Sequence, residues 1–213
     1  MEEIHHFSAE ELNQLHIRAE DLWRVPARQG WQKSPVSPME VLKLFKGIWI
    51  KKGYTLRGYV YREEMSGFGV VWALPESEFP GVEECERINT LGTPRPKNAL
   101  HFMNVLEGDN TPHSYINASL FYREMLEFGA VWHGLSWGLH EIIERADLLE
   151  GTELWEAEDL RPKVTLGERT IVEYYTLCGL YRWRIFKHKD LFTDYRIIPQ
   201  VMLMAEGGKG YVP

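Results

Sequence analysis

Cysteine is scarce: only Cys85 and Cys178 occur among the 213 residues. They lie far apart in unlike surroundings, which excludes a fold stapled by several disulfides. Two reduced thiols are expected, with one Cys85–Cys178 bond as the alternative. No apolar run approaches the roughly 20 residues needed to cross a bilayer. The opening MEEIHHFSAEEL is acidic and polar and lacks the apolar segment of a secretory leader, so a cytoplasmic protein with no membrane partner is expected. Positive charge is also in short supply, 24 Lys and Arg against 31 Asp and Glu, for a net charge of −7. That balance argues against a nucleic-acid partner. The chain has no P-loop, dinucleotide glycine motif, EF-hand, CxxC or HExxH pattern, so no cofactor is expected.

What the chain does have is apolar and aromatic mass. Apolar residues make up 44% and aromatics 13%, with 8 Trp, enough for a folded core and some half-exposed rings. The reading is an α+β fold over 1–213 as a single domain. It has a mostly antiparallel sheet with helices packed on one face, and two N-terminal helices. The first of these, 9–23, follows the capping box Ser8–Glu11 and carries the stripe Leu12, Leu15, Ala19, Leu22, Trp23. The second begins at Pro38 after Ser37 and runs to about Gly53, with Val41, Leu42, Phe45, Ile48 and Trp49 on its buried side.

A hairpin is expected over 54–74, with Leu56, Gly58 and Val60 opposite Phe68, Val70 and Trp72. The stretch 75–98 is a long connection rich in Pro, Gly and acid, with room for a short helix near Val82–Ile88. Ala99–Leu106 reads as a strand, and Thr111-Pro112 opens a helix that Gly129 closes. Ala130–Trp137 reads as a strand leading into a helix capped by Ser136 and ended by Gly151. After Gly151 the chain is β-rich, with turns at 166–168 and 189–194, a bulge at Gly179, and Pro199 at an edge or a break. Residues 61–72 and 122–132 share a sequence likeness without matching flanks.

The densest mixture of His, acid and Trp lies in Leu100–Gly151. Imidazoles and carboxylates both bind metals and serve as acid and base, which singles out Asp109, His113, His133, His140, Glu141 and Glu144. The GLSWG stretch at 134–138 has the G-x-S-x-G form of the nucleophile elbow of α/β-hydrolases, with Ser136 at its centre. Against it, the chain lacks the alternating βα units of that fold.

Two functions follow. The first is a non-catalytic ligand- or protein-binding accessory protein, with an aromatic groove beside the 130–140 segment in which Trp132, Trp137, His113 and Asp109 contact a small molecule or a protein. The alternative is a hydrolase using Ser136 as nucleophile, or metal-assisted through His133, His140 and Glu141. The sequence leaves the oligomeric state open.

Overall fold

The apolar stripe after Ser8 forms helix α1 (Ala9–Trp23). Its buried positions are Ala9, Leu12, His16, Ala19 and Trp23, spaced by three, four, three and four residues, so His16 occupies a place in the stripe that an apolar residue would normally fill. The computed structural model describes residues 2–24, 26–145 and 159–211. These fall into two compact units. The first is Met1–Leu15 with Leu139–Pro213, and the second is His16–Gly138. Among the described residues every pair of strands is antiparallel, apart from an isolated parallel bridge between Leu180 and Tyr211. Among the described residues no helix is long and apolar enough to cross a membrane. Cys85 and Cys178 are both free and buried.

In the first unit, Glu3–His6, Lys163–Leu166, Thr170–Cys178, Trp183–Thr193 and Arg196–Gly207 lie side by side in that order. The expected turn at 166–168 is present. The expected turn at 189–194 is not, because the strand continues to Thr193 and the chain reverses at Asp194–Tyr195. The irregular register falls at Ile185/Phe186 and not at Gly179. Pro199 lies in the edge strand, where a missing N–H is tolerated.

The helix expected after Ser136 is overturned for its first part. A 3-10 turn (Trp137–Leu139) leads into a strand, His140–Ile143, which pairs with Tyr175–Cys178. The half of the Thr170–Cys178 strand that Lys163–Thr165 leaves open supplies hydrogen-bond partners, and these outweigh the helical spacing of Leu139, Ile142 and Ile143. The rest of the expected helix, from 146 to Gly151, lies outside the described residues. Glu144 therefore does not stack on His140. Its Oε1 accepts the Ala9 N–H at 2.6 Å, while Ser8 Oγ accepts from Glu11 N at a long 3.4 Å. The start of α1 is thus capped chiefly from a remote carboxylate.

In the second unit the hairpin is Tyr54–Glu63 with Ser66–Pro75, and Glu64 in its two-residue turn has φ 46°. The expected pairing is displaced by one. Leu56, Gly58 and Val60 stand opposite Ala73, Val71 and Gly69. Gly30–Lys33, Val131–Trp132 and Leu100–His101 complete this sheet. Ser37 caps helix α2 (Pro38–Leu42), which ends after five residues. Gly47 at φ 79° turns the chain, and Ile48-Trp49-Ile50 forms a strand against Leu106–Gly108 instead of continuing the helix. Residues 102–105, expected to be strand, form a 3-10 turn.

The 75–98 connection holds a 3-10 turn (Val82–Glu84) and a small ribbon, and is tied down by Tyr59 Oη to Pro80 O and Trp72 Nε1 to Pro94 O, both 2.9 Å. Helix α3 (Pro112–Leu126) starts at the expected cap, with Thr111 Oγ1 accepting from Ser114 N, and Gly129 at φ 79° follows its end. The two similar stretches fold differently: 61–72 is strand, turn and strand, whereas 122–132 is a helix end and a short strand.

Candidate functional site

Helix α3 is buried almost all round. Arg123 and Glu124 are buried while Leu126 is 54% exposed, the reverse of what their polarity suggests. Glu124 is the hub. Its carboxylate takes His16 Nδ1 at 2.6 Å, Trp137 Nε1 at 2.8 Å and Trp23 Nε1 at 2.9 Å. One turn on, Glu127 accepts the backbone N–H groups of Ser136, Trp137 and Gly138, the last two at 2.5 Å. Burial pushes the Glu127 carboxyl above the usual range, against the opposing pull of those three N–H groups. Burial lowers His16, but the Glu124 hydrogen bond and the charges of Glu124, Glu20 and Glu127 more than offset it, so His16 ends above its ordinary value.

The 131–138 segment is held on this base. Gly134 N donates to Val131 O at 3.0 Å and Leu135 N to Trp132 O at 2.9 Å. A Cβ on Gly134 would stand 1.9 Å from Gly67 O, so only glycine lets the two chains approach this closely. Arg62 Nη1 donates to Gly129 O at 2.6 Å. Trp132 lies within this braced segment, its carbonyl accepting the Leu135 N–H. It sits in the left-handed region at φ 48° and is 62% exposed. It walls a cleft of about 470 Å³ lined also by Arg24, Arg62, Met65 and Val131.

The sequence-derived site residues are dispersed. Trp132 lines the cleft, whereas Trp137 is buried on Glu124. Asp109 and His113 lie at the opposite end of α3, roughly 20 Å away along a 15-residue helix. There the Thr111 hydroxyl, and then its N–H, hold the exposed Asp109 carboxyl below the usual carboxylate range. His133 and Ser136 are exposed in the turn that follows Trp132. Among the described residues the Ser136 hydroxyl bonds to no imidazole, and the strand–turn–helix of a nucleophile elbow is replaced by a 3-10 turn and a strand. No group of three or more metal-ligating side chains occurs among the described residues.

His140 and Glu141 belong to the first unit. Glu141 is exposed. His140 Nδ1 is 2.8 Å from Thr176 Oγ1, which is 2.9 Å from His188 Nε2, so one buried hydroxyl bridges two imidazoles across three strands. Thr176→Val would leave both ring nitrogens without that hydroxyl. We expect a loss of about 1–3 kcal/mol in urea unfolding, and a loss below 0.5 kcal/mol would show the bridge to be dispensable.

The residues that sequence reasoning missed are His16, Arg24, Arg62, Glu124 and Glu127. The available signal was His16 in the apolar stripe of α1, together with two acids three apart among Phe121, Met125 and Phe128. No protein-family model, curated protein or solved structure matches this chain.

Proposed function

We propose that the protein is a non-catalytic binding protein whose small-molecule ligand lies against Trp132 in the second unit. One observation carries this reading: a large indole stands mostly in water on a backbone conformation that L-residues other than Asn and Asp rarely adopt. Left-handed backbone at such a residue costs roughly 1–2 kcal/mol, and water exposure returns little of it. Backbone strain of this kind gathers at ligand clamps, where the surroundings over-determine it. The bracing by Gly134, Arg62 and Glu127 is of that kind. The reading goes with a cytoplasmic protein that needs no cofactor. No observation favours the hydrolase alternative through Ser136, His133, His140 and Glu141 over it.

Trp132→Gly separates binding from folding. Glycine accepts the positive φ freely, so urea stability should hold or rise by up to about 1 kcal/mol. A fragment library screened by ligand-observed NMR should yield binders to the wild type that Trp132→Gly no longer holds. Binders retained equally by the variant, or a clear loss of stability, would mark Trp132 as a packing residue.

A further inference from the structure

Two concavities meet at the Trp132 indole. Beside the 470 Å³ cleft lies a smaller one of about 290 Å³, lined by Arg24, Val131, Trp132 and Leu135. Arg24, Val131 and Trp132 border both. The larger cleft is lined by Arg24 and Arg62 as well as the exposed ring, with Glu64 also on its wall, in a chain whose net charge is −7. Arg62 is there as the brace of Gly129 O, so Arg24 is the cation of the cleft that can turn to a ligand.

The two guanidiniums differ in freedom. Arg62 is fixed, its Nη1 donating to both Tyr61 O and Gly129 O. Arg24 follows α1, and its half-exposed side chain pairs with Glu20 one helical turn back. Only the Arg24 end of this pair is half exposed, Glu20 being mostly covered, so the guanidinium is the partner that can swing to another anion. A guanidinium offers a planar fork that matches carboxylate, sulfonate or phosphate oxygens. An indole offers a face on which another flat ring stacks. The smaller concavity has apolar walls in Val131 and Leu135 suited to a ring edge.

We infer that the ligand of this cleft is a planar aromatic molecule carrying one anionic group, with its ring on Trp132 and its anion exchanged onto Arg24 from Glu20. This rests on the reading of the Trp132 cleft as the binding site.

The test compares two fluorescent probes that differ by one charge. These are 8-anilinonaphthalene-1-sulfonate and the uncharged N-phenyl-1-naphthylamine, titrated against wild type, Arg24→Gln and Trp132→Gly. The sulfonate should bind wild type about tenfold more tightly, the worth of one charge-assisted hydrogen bond. Arg24→Gln should remove that advantage and leave the uncharged probe unchanged, and Trp132→Gly should lose both probes. Should Arg24→Gln fail to fold, raising salt on the wild type replaces it, weakening the sulfonate and sparing the neutral probe. Equal affinities for the two probes on wild type, both lost in Trp132→Gly, would overturn the anionic assignment and leave the binding site standing. Probe binding indifferent to Trp132→Gly would overturn both.

Discussion

Glu124→Leu should cost the second unit about 3–5 kcal/mol, the largest single-residue loss we expect, because it removes the partner of a buried charge-assisted contact and leaves its donors unpaired. Glu124 has no exposed surface, and His16, Trp23 and Trp137 all spend their ring N–H groups on it. Leucine fills a similar volume, so the loss would come from three stranded donors and not from a cavity. Glu124→Gln keeps one acceptor oxygen and should lose less. Urea unfolding followed by Trp fluorescence reads both variants. A loss below 1 kcal/mol in Glu124→Leu would mean that water replaces the carboxylate and that the hub does not hold the unit together.

That hub shows where sequence reading stops. Local chemistry was legible: Thr111-Pro112 at the start of α3 and Gly129 after it, Ser37 before Pro38, and the Tyr54–Pro75 hairpin all follow from caps and turns within a few residues. The failures come from competition at longer range. Val41 to Trp49 fits a helical stripe, yet Ile48–Ile50 finds a partner strand at Leu106–Gly108. Leu139 to Ile143 also fits, yet the open edge of Thr170–Cys178 takes it. Glu124 looks like a solvent-facing acid because its donors lie as far as 108 residues away, and no spacing rule connects such positions. A cleft lies against Trp132, one of the two indoles singled out in the 130–140 segment, but composition could not say which of eight indoles faces water. Of those named beforehand, Trp137 is buried and Trp132 is not. The two arginines of the cleft carried no local signal at all.

The remaining large effect concerns pH and the same buried cluster. Glu127→Ala would release the N–H groups of Ser136, Trp137 and Gly138 together, and we expect it to cost roughly 2–4 kcal/mol, tempered by water reaching Ser136 and Gly138. Glu127 and His16 both hold their protons more tightly folded than unfolded. Stability from such a group is complete below its unfolded pKa and is lost as pH rises through the folded one. For Glu127 the loss begins near pH 4.5, and desolvation pulls His101 down, so its contribution acts in the opposite sense just below its ordinary value of 6.5. Above 6.5 His16 remains, and its proton is what makes the contact with Glu124 an ion pair. The difference in stability between wild type and His16→Gln should therefore be greatest near pH 6 and shrink steadily toward pH 9, while the Glu127→Ala deficit should be greatest below pH 4.5 and decline above it to what the three backbone N–H bonds supply. Taking the difference cancels groups common to both proteins, which the wild-type curve alone would not. A gap that widens with rising pH would show that His16 is held neutral in the fold, and the hub would then be a set of hydrogen bonds around one lone buried charge.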